Sequence, residues 1–210
     1  MSKLALIRHG ESEWNAKGLW TGWNDIGLSE KGKEEARKAG KTLSDITFHH
    51  GFTSDLKRAW ETLELVKEVL GIKNLPTRRH AEFKERNYGT FAGKNKWEIK
   101  EQVGEEKFLA IRRAWNVPIP EGETLKDVHA RVVKGYKKHI FPHVKNSKNI
   151  LFAAHGNSIR ALVKHLENVP DDKIAEIEIA TGEILLYTLS QAGTVMSKEK
   201  RALNKNKGRQ

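Results

Sequence analysis

Leu4-Ala5-Leu6-Ile7-Arg8-His9-Gly10 and Leu151-Phe152-Ala153-Ala154-His155-Gly156 share one grammar: an unbroken apolar run, then a histidine, then a glycine. Apolar runs this short that do not alternate with polar residues suit strands covered on both faces, the condition of a parallel sheet with helices on each side. In open α/β sheets ligands bind beyond the carboxyl ends of the strands. Both imidazoles are therefore expected at the ligand edge, each beside a glycine that permits a sharp turn and a close approach to the backbone.

The rest of the chain alternates accordingly. Ser29 is placed to cap a helix running towards Leu43 through Ala36 and Ala39. Residues 46–52 read as a second strand. Ala59, Leu63, Val66 and Leu70 step by four, three and four, one apolar face of a helix that Gly71 can stop. A strand is expected at 76–81, and shorter helices at 96–103 and 106–115. Leu125, Val128, Val132, Tyr136 and Ile140 mark a long helix ending near Pro142. A strand at 150–154 and a helix at 159–166 follow. Residues 174–179 and 184–189, flanking Thr181-Gly182, predict a closing pair of strands. This alternation predicts an α/β three-layer sandwich with a mostly parallel central sheet. At 210 residues with no repeat or linker, the chain reads as one domain over 1–197. A basic, solvated tail is expected at 198–210.

Charge narrows the partners. The formal net charge is +11, and the segment from Lys198 onward, with six basic residues and one acid, supplies +5 of it. Such a balance invites an anion. The tail has no aromatic residue on which bases could stack and no nucleic-acid-binding motif is present, so nucleic acid is not expected. No apolar stretch approaches the ~20 residues of a membrane span, and the residues before Arg8-His9 do not read as a secretory signal, so none is expected. With no cysteine there is no disulfide, thiolate metal site or thiol nucleophile. A cytoplasmic protein is expected. A metal site built from His49, His50, His139 and His143 is disfavoured, because adjacent residues on a strand point to opposite faces.

Phosphoryl transfer fits the two histidines. Neutral imidazole is a nucleophile towards phosphorus, and the remaining requirement is positive charge and donors around the equatorial oxygens. Arg8 adjoins His9, and Arg58 opens the second helix. The arginine fork matches phosphate oxygens.

These residues resemble the histidine phosphatase superfamily and, within it, the 2,3-bisphosphoglycerate-dependent phosphoglycerate mutases. The matching segments are Arg8-His9-Gly10-Glu11-Ser12-Glu13-Trp14-Asn15, Thr21-Gly22-Trp23, Thr53-Ser54 with Arg58-Ala59, and Glu85-Arg86-Asn87-Tyr88-Gly89. Gly93-Lys94-Asn95-Lys96, Arg112-Arg113, the run from Ala153 to Lys164, and Thr181-Gly182 complete the set. The first signature marks only the superfamily; the Glu-Arg-x-Tyr-Gly and paired-arginine segments favour a mutase.

The resemblance implies a phosphoglycerate mutase-like fold and a glycolytic and gluconeogenic isomerase. Such an enzyme interconverts 3- and 2-phosphoglycerate through a phosphohistidine, primed by 2,3-bisphosphoglycerate and without a metal. It implies His9 as nucleophile, Glu85 as proton donor and acceptor, His155 as stabiliser of the transferring group, and Arg8 and Arg58 as phosphate clamps. Gly10, Glu11, Ser12, Asn15, Gly156 and Asn157 are implied around the phosphoryl group. Thr21, Gly22, Arg86, Asn87, Tyr88, Lys96, Arg112 and Arg113 are implied around the rest of the phosphoglycerate. The alternative within the superfamily is a phosphomonoesterase, in which water takes the phosphoryl group.

Departures from the family pattern are Trp20, Phe83-Lys84 before Glu85, and Pro118-Ile119-Pro120. All adjoin the expected site without removing a reactive group. The segment between Arg113 and Glu123 is that of a short form, for which a monomer or small homo-oligomer is expected.

Overall fold

β1 (Ser2–Arg8) and β4 (Ile150–Ala154) lie side by side and parallel in the computed structural model, which describes residues 1–202. Leu4 stands opposite Ile150, and Arg8 opposite Ala154, so His9 and His155 leave the sheet at the same edge. β2 (His50–Thr53) pairs in parallel with β4, and β3 (Thr77–Arg79) with β2. β5 (Ile184–Leu189) runs antiparallel to β1, and β6 (Val195–Arg201) antiparallel to β5. The six-stranded order is β3-β2-β4-β1-β5-β6. From adjacent central strands the chain departs in opposite directions: β1 leads on to β2, and β4 to β5. This is the switch point at which a crevice opens in such sheets.

The unbroken apolar strands are explained by two cores. Leu4, Leu6, Phe52, Phe152 and Ala154 face α6 (Leu125–Gly135) and α8 (Gly156–Glu167), while Ala5, Ile7, Leu151 and Ala153 face α2 (Glu30–Lys41) and α3 (Lys57–Val69). A single-turn α1 (Glu13–Ala16), capped by Ser12, precedes α2, and Ser29 caps α2 as expected, accepting from the Gly32 amide at 3.1 Å. A third cluster of Trp20, Ile99, Phe108, Ile111 and Ile119 carries α4 (Lys96–Val103) and α5 (Glu105–Arg113).

Three expectations are corrected. Residues 174–179 form no strand: Ile174–Glu176 is a short 3-10 turn, and β5 takes β1 and β6 as partners. Ile174 is drawn into the main core, which leaves Glu178 to meet Arg113. The long helix also does not simply stop. α6 passes into a π turn (Tyr136–Ile140) and then α7 (Phe141–Lys145), with Pro142 in the first turn of α7. Proline has no N–H to donate, and the widened turn, closed by Phe141 N–H to Tyr136 O, absorbs the mismatch.

The third correction concerns the tail, which does not begin at 198. Lys198, Lys200 and Arg201 belong to β6 and are paired with Glu167 at 2.6 Å, Glu183 at 3.3 Å and Asp45 at 2.5 Å. Lysines on an edge strand also discourage pairing with another chain. The remainder of the expected tail, 203–210, lies outside the described residues.

Candidate active site

The cavity at the carboxyl end of β1 and β4 measures ≈ 120 Å³. His9 is 3% exposed, and its Nδ1 lies 2.7 Å from the Gly10 carbonyl. A carbonyl only accepts, so Nδ1 carries the proton and Nε2 keeps its lone pair. Burial, Arg58 and Arg8 together hold the imidazole well below its usual pKa, which keeps it neutral and nucleophilic.

His155, which caps α8, is fully buried with its ring 5.0 Å from that of His9. Its Nε2 lies 2.7 Å from Ser54 Oγ at the end of β2. Burial, then Arg58 and His9, push its pKa well down too.

Arg58 is 1% exposed and held by the carbonyls of Gly22 and Asn24 at 2.8 and 2.9 Å; burial lowers its pKa to about 10. Gly22 adopts φ +54°, which turns its carbonyl to that arginine at little cost. Arg8 donates through Nη1 to Ile179 O at 2.6 Å, while its Nε is buried without a partner. Trp20 Nε1, Thr21 Oγ1 and Arg160 Nε, on residues that also line the cavity, are orphaned in the same way. Buried donors of this kind call for an acceptor, and phosphate and carboxylate oxygens are acceptors only.

Glu85 is the carboxylate set among these cations. Its Oε1 accepts from the amides of Arg86 at 2.8 Å and Asn157 at 3.1 Å, the second at the N-terminus of α8, leaving Oε2 for a proton. Lys96 is 7% exposed; burial, Arg112 and Arg8 lower its pKa to about 7. Arg113 pairs with Glu178 at 2.9 Å, and Tyr88 Oη accepts from Asn157 Nδ2 at 2.9 Å. Asn15 has its Oδ1 taken by Ser12, which leaves the amide Nδ2.

The cavity is thus lined by Arg8, His9, Asn15, Thr21, Gly22, Arg58, Glu85, Tyr88, Lys96, Arg112, Arg113, Gly156 and Asn157. Six expected residues, the fully buried His155 among them, do not line it. Gly10 packs against Gly32, where an added Cβ would lie 2.1 Å from the Gly32 carbonyl. Glu11 is bound to Lys31 and Ser29, and Ser12 orients Asn15. The Arg86 guanidinium is spent on the carbonyls of Glu123, Ile111 and Val117, and Asn87 is bound to Glu123. Of His49, His50, His139 and His143, His50 packs against His143 with the rings tilted by 38°, whereas His139 stacks on His80.

A profile of the histidine phosphatase superfamily (branch 1) matches residues 4–200. The chain belongs to this superfamily. It is 46% identical over 197 residues to the 2,3-bisphosphoglycerate-dependent phosphoglycerate mutase of Bradyrhizobium diazoefficiens, covering 93% of this chain and 95% of that protein. To the protein of the same name from Bartonella quintana it is 45% identical, covering 93% and 96%. Among solved structures, Bacillus stearothermophilus YhfR superposes with a TM-score of 0.81 at 27% identity, over 93% of this chain and 94% of that one. Within the superfamily the chain is a member of the 2,3-bisphosphoglycerate-dependent phosphoglycerate mutase family.

The matched motifs contain Trp23 and Arg160 without giving either a role, and Arg131 lies in none of them, yet all three hold the site together. Trp23 Nε1 donates to Glu85 O at 2.7 Å, and Arg131 donates to the carbonyls of Glu82, Lys84 and Glu85 within 2.9 Å. Arg160 donates to Asn157 Oδ1 at 3.0 Å. Trp20 and residues 177–180 also line the cavity. Carbonyl contacts such as those of Arg131 leave no pattern in sequence; only an arginine on an otherwise apolar helix face would have hinted at it.

Proposed function

We propose that this chain interconverts 3-phosphoglycerate and 2-phosphoglycerate by way of a phosphoryl group carried on His9. The observation that carries the reading is one neutral imidazole with its Nε2 lone pair free, set in a small cavity among Arg8, Arg58, Lys96, Arg112 and Arg113, with the Glu85 carboxylate beside it and Glu178 held by Arg113. The names of the relatives support the same substrate.

The chemistry follows from that arrangement. His9 Nε2 attacks phosphorus in line; the P–O bond breaks, and the leaving oxygen takes its proton from Glu85. In the other direction the Glu85 carboxylate takes the proton of the attacking hydroxyl. The P–N bond breaks, and His9 is again neutral. Arg8 and Arg58 hold the equatorial oxygens through transfer, and His155 lies on the phosphoryl group's flank. Lys96, Arg112 and Arg113 hold the second anionic group, with Arg113 exchanging Glu178 for it. The orphaned donors and the cationic lining suit 2,3-bisphosphoglycerate, which supplies the phosphoryl group that charges His9. Nothing in this scheme uses a metal. We assign the activity to the cytoplasm, where such metabolites turn over, and to a monomer or small homo-oligomer. Among the described residues no helix is long and apolar enough to cross a membrane.

The test is conversion of 3- to 2-phosphoglycerate with and without 2,3-bisphosphoglycerate, with phosphate release followed in parallel. Conversion that depends on the bisphosphate, with little free phosphate, is expected. Phosphate release without isomerisation would make the chain a phosphomonoesterase instead.

A further inference from the structure

On the far side of the sheet from α2 and α3, away from the catalytic cavity, a second group of ligating side chains converges. His80 follows β3 and caps the 3-10 turn Ala81–Phe83 that carries Glu82, while His139 sits on the π turn between α6 and α7. The His80 and His139 rings are stacked, 3.7 Å between centroids and 16° from parallel. Glu82 Oε1 lies 3.4 Å from His139 Nε2. One ligand atom from each of the three lies within 4.8 Å of the others. None of these residues has a part in phosphoryl transfer.

We propose that His80, Glu82 and His139 form a binding site for a divalent cation of the zinc class. Two imidazoles and a carboxylate are a donor set for Zn²⁺ and neighbouring transition metals, not for Ca²⁺ or Mg²⁺. Three protein ligands leave a fourth position for water. His80 Nε2 is buried without a hydrogen-bond partner, a polar atom with no satisfied role in the metal-free protein.

The frame of the site is fixed. The His80 amide donates to Thr53 O at 2.9 Å, Arg131 donates to Glu82 O at 2.9 Å, and the His80 ring packs on Phe52 and Phe83. Tetrahedral ligands about 2.0–2.2 Å from zinc stand roughly 3.4 Å apart. Imidazole lone pairs lie in the ring plane, so binding turns the His139 ring out of its stack on His80 and brings Glu82 with it. Arg78 and Lys138 lie nearby but are exposed, so solvent screens their opposition to a cation. An ion there is fixed to the same loop as Glu85, three residues on.

The test is titration of the chelator-treated full chain with Zn²⁺ by calorimetry, and with Co²⁺ by visible absorption, which reports coordination geometry. A competing set exists in His9, Glu85 and His155, whose ligand atoms also converge, so His9→Ala is the control. The proposal expects one equivalent of Zn²⁺ bound in the parent and in His9→Ala. Affinity should fall at least tenfold in His139→Gln, and independently in Glu82→Gln should the first variant fold poorly by circular dichroism. Unchanged affinity in both variants, loss of the ion in His9→Ala, or no saturable binding would overturn it.

Discussion

Lys96 is the side chain whose charge the pocket most directly governs. Burial with Arg112 and Arg8 nearby brings its pKa from 10.5 to about 7, so near neutrality it is only partly protonated in the empty site. A bound dianion favours the ammonium form and raises that pKa. Binding therefore takes up a proton, and affinity is greatest below pH 7 and falls as pH rises through the window above it. Calorimetry of 2,3-bisphosphoglycerate binding in buffers of different ionisation enthalpy should detect this uptake, and Lys96→Met should abolish it. Arg58→Ala should weaken the same binding by about 1.5–3 kcal/mol, the loss of a charge-assisted partner. Glu85→Gln should slow transfer by roughly 10²- to 10⁴-fold without weakening ligand binding, since it removes a negative charge from a cationic cavity. Single-turnover kinetics beside equilibrium binding separates the two effects. At this scale the groups proposed for chemistry were legible, because His9, Glu85 and His155 stand in motifs. The role of Trp23, although it stands in a motif, and that of Arg131, which stands in none, were not, because each acts on a backbone carbonyl and any neighbouring sequence offers one.

Elements were legible where a single period ruled. The strands at His9 and His155 are apolar throughout because each packs helices on both faces, and the α3 face was readable from spacing alone. Residues 174–179 misled because buried isoleucines there serve a loop over the cavity, and alternation over so few residues does not separate loop from strand. The π turn was invisible, since it answers a missing N–H at Pro142 by geometry rather than by residue type. The junction between the His9 loop and α2 gives a sharper expectation. Gly32 is helical, where alanine is favoured by about 1 kcal/mol. An added Cβ, however, would lie 2.0 Å from the Glu11 carbonyl, and backbone on that side cannot yield. Overpacking of this kind costs about 1–3 kcal/mol or more and outweighs the propensity gain. Gly32→Ala should thus lower the urea midpoint, a loss that equilibrium unfolding would register and that a purely helical account would reverse.

For the whole molecule, the charge of +11 suggested a free basic end, yet part of that end closes the sheet. Sequence gives no sign of this, because the pairs that hold β6 join it to Asp45, Glu167 and Glu183, all distant along the chain. Glu183 is fully buried, so the Lys200 partner offsets a desolvated carboxylate. Truncation after Thr194 should lower the melting temperature and promote self-association through the bared edge of β5, as thermal melts and light scattering would record; an unchanged melt would make β6 dispensable. The proposed mutase cycle requires a phosphoryl group to pass through His9. The most direct measurement is to incubate the protein with 2,3-bisphosphoglycerate, quench in base, and map bound phosphate by mass spectrometry. Acid-labile phosphate on the peptide containing His9, absent from His9→Ala, is the predicted result. Phosphate on another residue, or turnover by His9→Ala at the parent rate, would contradict it.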